Sequence, residues 1–285
     1  MMRYLKVVAI LIILYLAVGC TSKSPPQKEG LRIISLAPSI TEILFELGLG
    51  KNLVGVTSYC NYPKKALNIE KVGTFSEPNI EKILVLNPDL IFTTGLEQQP
   101  VVEKLKKLRL NVVVIYPSNI EELFNSIKEI GKITKTETRA ERLIDKMKER
   151  IDRVKAKVTQ IPKEKRKKVF VELWYDPITT AGPGSCVDEL IELAGGINIA
   201  YDLTRPYSMF NPELVIARNP DCIILGYMAL KDRGPDGVMG RFGWGNISAV
   251  KNRKVFSDID PDLLVRPGPR LVEGLEELYE RLYER

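Results

Sequence analysis

From Thr136 to Thr159 the apolar residues Ala140, Leu143, Ile144, Met147, Ile151, Val154 and Val158 recur at helical spacing, and Lys, Arg, Glu and Asp fill most positions between them. That period predicts one long helix with a single face to bury. At ~1.5 Å per residue it spans over ~30 Å, the width of a small domain. On either side of it, short apolar runs alternate with amphipathic stretches. Arg32-Ile33-Ile34-Ser35-Leu36 leads into a helix ending near Gly48, and Val169-Phe170-Val171-Glu172-Leu173 leads into a helix ending at Gly195-Gly196. Such alternation reads as α/β structure with parallel sheets. The chain thus divides into an N-terminal lobe (31–134), a linking helix (135–161) and a C-terminal lobe (162–285), with the cleft between the lobes as the expected site.

The two lobes repeat one another. Leu44-Phe45-Glu46-Leu47 returns as Leu190-Ile191-Glu192-Leu193, 146 positions later, and the same offset carries Ser39 onto Ser185 and Asn52 onto Asn198. Ser39 with Glu42, and Ser185 with Asp188, read as helix caps. A second repeat, offset by 132, relates Asn79-Ile80-Glu81 and Asn87-Pro88-Asp89-Leu90-Ile91 to Asn211-Pro212-Glu213 and Asn219-Pro220-Asp221-Cys222-Ile223. Each copy reads as an Asn cap, an acid in the first turn, a helix, a breaker and a buried strand. Pro212 suits the first helical position. The fall in offset assigns the longer loop, Thr57 to Ser76, to the first lobe.

The first thirty residues are of another kind. Arg3 and Lys6 precede an apolar run, Val7 to Val18, of the length of a secretory signal's core and too short to span a bilayer. Ala17-Val18-Gly19-Cys20 follows and then a polar, Pro-containing stretch, giving a signal segment (1–19) and a flexible tether (20–30). Small residues before a cysteine resemble the bacterial lipobox, which implies lipidation at Cys20; plain signal cleavage near Gly19 is the alternative. Either way the folded part is exported. The net charge is +6, but the basic residues gather on the long helix and its exit, interleaved with acids, which fits a solvated face better than a nucleic-acid track.

Histidine is absent and there are four cysteines. Ser-His-Asp and Cys-His nucleophile systems and His-ligated metal sites are thereby excluded. Beyond Cys20, three cysteines remain and make no complete disulfide framework. Cys222 falls in a buried-strand pattern, whereas Cys60 and Cys186 fall in cleft-side loops, where direct ligation of a ligand's metal is the minor alternative to plain packing.

Ligands of open α/β sheets sit beyond the carboxyl ends of the strands. The loops there carry Tyr59, Tyr62 and Phe75 in the first lobe, and Trp174-Tyr175-Asp176-Pro177, Tyr207-Ser208-Met209-Phe210 and Asp260 to Pro267 in the second. Several large rings converging on one cleft suit a bulky, partly apolar, planar ligand, with Asp262 and Arg266 at its polar rim. Gly182-Pro183-Gly184-Ser185 has proline where a phosphate loop needs an N–H, and no catalytic set accompanies the rings. The expectation is a binding protein, not an enzyme, without a resident cofactor or metal.

At these residues the chain resembles the substrate-binding proteins of ABC importers for cobalamin and ferric siderophores, over roughly Leu31 to Leu282. Val54-Gly55-Val56-Thr57-Ser58-Tyr59-Cys60-Asn61-Tyr62-Pro63 and Arg205-Pro206-Tyr207 look most like the cobalamin branch. The resemblance implies two Rossmann-like lobes joined by one long helix, and ligand contacts at Tyr59, Phe75, Tyr207, Asp262 and Arg266, with Trp174 in a loop of the same pocket; a single helical strut resists wide hinge motion, so small closure on binding is expected. Phe75 and Tyr207 stand where a cobalamin binder has tryptophans. It also gives Glu81 and Glu213, one on top of each lobe, the role of salt-bridging to arginines of a membrane permease; both are also first-turn acids that stabilise their helices. The implied protein is a monomeric, extracytoplasmic, lipid-anchored receptor for cobalamin that serves a permease and its ATPase, and binds no nucleic acid. A ferric-siderophore receptor is the close alternative, since Arg205, Arg241, Arg266 and Arg270 would suit an anionic chelate.

Overall fold

The computed structural model describes residues 30–227 and 233–284. The signal segment 1–19, Cys20 and the tether up to residue 29 lie outside the described residues. From Arg32 onward the chain forms one unit. It contains two sheets.

The first is four-stranded and wholly parallel: β1 (Ile33–Ser35) lies between β2 (Leu53–Val56) and β3 (Leu90–Thr93), and β4 (Val112–Val114) pairs with β3. Helices α1 (Pro38–Glu46), α2 (Ile80–Val85) and α3 (Gln99–Lys107) connect these strands, and α4 (Ile120–Thr134) follows the last. Strands so short survive because both faces are covered, as parallel sheets require. Ile34, Ile91 and Leu105 meet Ile83 and Val72 in one buried cluster.

The long helix, α5 (Glu137–Val158), buries Ala140, Leu143, Ile144, Met147, Ile151, Val154 and Val158, the residues its period singled out. Its C-terminal half packs on the final helix of the chain, where Arg150 donates Nε to Glu276 Oε1 at 2.9 Å and Nη2 to Glu276 Oε2 at 2.6 Å.

The second sheet is mixed, where parallel pairing throughout was expected. β5 (Lys168–Tyr175), β7 (Ile197–Asn198), β9 (Cys222–Leu225) and β10 (Val255–Phe256) are parallel, but β6 (Ile178–Ala181) and β8 (Tyr207–Met209) add an antiparallel ribbon. The two segments read as cleft loops, Trp174 to Pro177 and Tyr207 to Phe210, are therefore largely strand. Asp176-Pro177 forms a tight turn that folds β6 back on β5, a connection too short for a parallel crossover. Helices α6 (Cys186–Leu193), α7 (Pro212–Arg218), α8 (Pro235–Met239), α9 (Ser248–Lys251), α10 (Asp262–Val265) and α11 (Leu271–Tyr283) complete the second half. Its core gathers Phe170, Phe210 and Trp244.

The duplicated motifs do the same work twice. Asn79 Oδ1 accepts from Lys82 N at 2.9 Å and Asn211 Oδ1 from Glu213 N at 2.8 Å, each capping its helix. Asn87 and Asn219 stop those helices in the left-handed region, at φ 44° and 48°. Asp89 and Asp221 then accept from Arg32 N and Lys168 N, at 2.9 Å in both cases, fixing the start of an interior strand in each sheet. The serine caps are not duplicated in this way. Ser185 Oγ accepts from Asp188 N at 3.1 Å, but Ser39 lies inside α1, whose cap position is Ala37 and whose first residue is Pro38.

Candidate functional site

All four strands of the first sheet end toward one hollow. Ala37 to Ser39 follow β1, Tyr59 follows β2, Thr94 and Gly95 follow β3, and Tyr116 follows β4. Opposite them stand Tyr207, at the start of β8, and Val265, Arg266 and Pro267 at the end of α10. Together with Phe75 these groups enclose a cleft of about 650 Å³.

Buried polar groups fix the first-half wall. Gln98 is fully buried; its Nε2 donates to Leu36 O at 2.9 Å and to Phe75 O at 2.7 Å, while its Oε1 accepts from Thr94 N at 3.0 Å and from the Thr93 hydroxyl. One side chain thus joins three of the loops that line the cleft. Beneath Tyr59, the Thr41 hydroxyl lies 2.8 Å from Ser35 Oγ and 3.2 Å from Cys60 Sγ, and Thr57 Oγ1 is 3.2 Å from the same sulfur. Gly95 leaves room for the Tyr116 ring: a Cβ there would stand 3.2 Å from Tyr116 Cγ.

Two clasps tie the halves together beside the cleft. In the first, Glu42 of α1, almost fully buried, receives Arg270 Nε at 2.9 Å and Nη2 at 2.7 Å. Arg266 Nη1 lies 3.6 Å from the same carboxylate and donates to Asn61 Oδ1 at 2.7 Å, and its Nη2 is 2.8 Å from Asp262 Oδ2. Burial pushes the Glu42 carboxyl up, against the pull of Arg270 and Arg266. In the second, Glu189 of α6 accepts from Ile120 N at 2.7 Å, at the N-terminus of α4, and Cys186 Sγ is 3.3 Å from Ser118 O. A carboxylate there also satisfies the helix dipole.

Of the residues singled out from the sequence, Tyr59, Phe75, Tyr207 and Arg266 line the cleft. Asp262 does not, because Arg266 and Asn61 engage its carboxylate. Trp174 does not either: it sits near the end of β5, opposite Thr179 of the ribbon, half exposed, with Nε1 donating to Asp176 O at 3.1 Å. Arg266 faces the cleft with its charge already matched, so the polar rim drawn from Asp262 and Arg266 is first of all a contact between the halves. Burial raises the Tyr207 phenol, which stays protonated. Cys60, Cys186 and Cys222 are buried, and burial pushes the Cys186 thiol up to about 12. Among the described residues no group of three His, Cys, Asp or Glu could hold a metal ion. Glu81 and Glu213 are exposed in the first turns of α2 and α7. Tyr116 and Gln98 escaped sequence reading. The first stands just past an apolar strand and looks like its continuation, and the second lies in a polar run with no period.

The sequence profile of the periplasmic binding proteins matches residues 33–262, which takes in both sheets, the long helix and every group that lines the cleft except Val265, Arg266 and Pro267. The chain belongs to the periplasmic binding protein family. Among relatives of this periplasmic binding protein, an uncharacterized ABC transporter substrate-binding lipoprotein of Bacillus subtilis, YvrC, is 36% identical over 267 residues, covering 90% of this chain and 81% of that one. A vitamin B12-binding protein of Vibrio cholerae is 33% identical over 250 residues, 87% of each chain. A crystal structure from Staphylococcus epidermidis, described as a possible iron-binding, periplasmic solute-binding protein, superposes with a TM-score of 0.77 at 33% identity, covering 88% of this chain and 98% of that one. The binding protein is thus a substrate-binding component of the ABC-importer type, and not an enzyme. Among the described residues no helix is long and apolar enough to cross a membrane.

Proposed function

We propose that this protein is an exported receptor, lipid-anchored through Cys20, that captures cobalamin or a related corrinoid and delivers it to an ABC permease and its ATPase. In this reading the lobes are 31–134 and 162–285, carried by the linking helix 135–161, and the receptor acts as a monomer. The observation that carries the ligand is the make-up of the cleft: Tyr59, Phe75, Tyr116 and Tyr207 supply broad ring surface, and among the described lining residues the one cation, Arg266, is neutralised by Glu42 and Asp262. Broad rings with one carboxylate, Glu97, and no unmatched cation suit a bulky ligand that is not an anion and whose metal is already enclosed. Arg241 and Arg270, which would otherwise favour an anionic chelate, are held by Glu172 and Glu42. The vitamin B12-binding relative supports the same reading, and the name of the Bacillus subtilis relative supports the anchor.

Glu81 and Glu213 are assigned to docking on the permease. They stand at equivalent places in the two halves, away from the cleft lining, and among the described residues neither carboxylate has a hydrogen bond or ion pair. A ferric-siderophore ligand is the second reading, favoured by the Staphylococcus epidermidis structure. Fluorescence titration separates the two. Trp174 is half exposed at the end of β5, next to the ribbon that carries Tyr207, whereas Trp244 is buried. Cyanocobalamin is expected to quench the emission saturably, and a ferric hydroxamate to leave it unchanged; the reverse result would replace the corrinoid with a siderophore.

A further inference from the structure

The outer surfaces near Glu81 and Glu213 carry apolar side chains that the fold leaves in water. Val85 follows Glu81 by four residues in α2 and Leu84 by three, so the three side chains share one helix face. Val85 is 85% exposed and Leu84 is exposed as well. In α7 the position three residues after Glu213 is Ile216, the counterpart of Leu84 under the 132-residue repeat. Gly243 is seated on it: a Cβ at Gly243 would come 3.1 Å from Ile216 Cδ1. The neighbour of that glycine, Phe242, is fully exposed. Where the first half leaves Leu84 in water, the second partly buries its counterpart Ile216 and presents a phenylalanine beside it.

Phe242 is exposed without being loose. Arg241 before it donates Nη2 to the buried Glu172 Oε1 at 2.7 Å, and Trp244 just beyond it is almost wholly buried in the core. Gly243 between them has φ +80°, the left-handed turn that keeps the ring outside. A ring held in water by anchors on both sides has little entropy left to lose on being covered, which is the property of an interface hot spot.

We propose that each docking acid is half of a composite contact, Glu81 with Leu84 and Val85 and Glu213 with Phe242, and that the partner is the importer's membrane permease, offering at each point a cation beside an apolar hollow. The acids give orientation and encounter rate, and the apolar groups slow dissociation. The inference rests on the docking reading given above. Two similar points on the two halves would also hold the receptor with its cleft in one orientation over the transport path.

Biolayer interferometry of the full-length receptor on its detergent-solubilised permease–ATPase complex tests this without any ligand. Phe242→Ser is expected to weaken binding about tenfold, chiefly through dissociation, Val85→Ala by a smaller factor, and Phe242→Leu hardly at all, with melting temperatures unchanged. Wild-type affinity in Phe242→Ser, alongside weakened binding in the Glu81→Ala/Glu213→Ala double variant, would overturn the composite contact and leave the docking acids standing. No loss in either would overturn both. A shift in the receptor's own sedimentation on Phe242→Ser would assign the surface to a second copy of the chain, and would equally overturn the proposal.

Discussion

Gln98 has no charge and no ring, yet its amide bonds to Leu36, Phe75 and Thr94 and so sets the shape of the first-half wall. Gln98→Leu leaves buried backbone groups without partners, at about 1–3 kcal/mol. A denaturant titration should show that loss, together with weaker ligand binding, because Phe75 loses its support. The cysteines make a second prediction at this scale. All three described thiols are buried, and Cys186 titrates near 12. A pKa raised in the folded state favours the protonated thiol, an advantage complete below the ordinary thiol range of about 8.5 and lost only as pH climbs toward 12. Maleimide labelling of the folded protein should therefore stay slow between pH 7 and pH 9, and become fast on unfolding. The sequence showed that Cys60 and Cys186 were few and near the cleft. Ser185, read as a cap, placed the start of α6 at Cys186, but the sequence could not show that the sulfur turns onto Ser118.

Among the elements, the strongest periodicities were the most legible. The seven apolar positions of α5 are the seven it buries, and the duplicated Asn-Pro-Asp motif ends a helix and starts a strand in both halves. The antiparallel ribbon was hidden because a single apolar run, Val169 to Tyr175, serves first a buried parallel strand and then a hairpin arm, and only the turn at Asp176-Pro177 divides the two. Ser39 misled for a related reason. A serine three residues before a glutamate satisfies the capping pattern, but the cap is Ala37 and Pro38 begins the helix, two residues before the start that a Ser39 cap would give, and Glu42 is drawn away to Arg270. Thermal melts should separate the two serines: Ser185→Ala loses about 1 kcal/mol of cap energy, and Ser39→Ala loses far less.

For the whole molecule, the two clasps and the long helix decide how the halves move. Glu42 with Arg270 and Arg266 on one side, and Glu189 with the start of α4 on the other, join the halves beside the cleft. Contacts of this kind depend on distant residues meeting in space, so the sequence marked Glu42 only as the capping partner of Ser39. Glu42→Ala takes from the largely buried Arg270 its bidentate partner, leaving it Asp260 at 3.7 Å, while Arg266 keeps Asp262; loss of a buried pair of this kind costs up to about 3 kcal/mol. Chemical denaturation checks that value, and a variant as stable as the wild type would show that water replaces the carboxylate. The account as a whole rests on a cleft of rings, whose one cation Arg266 is already matched, gripping one corrinoid. Isothermal titration of the wild type and of Tyr207→Ala with cyanocobalamin tests it most directly. The expected result is one ligand per chain at submicromolar Kd, weakened at least tenfold in the variant; no heat of binding to the wild type, or equal affinity in both, would contradict it.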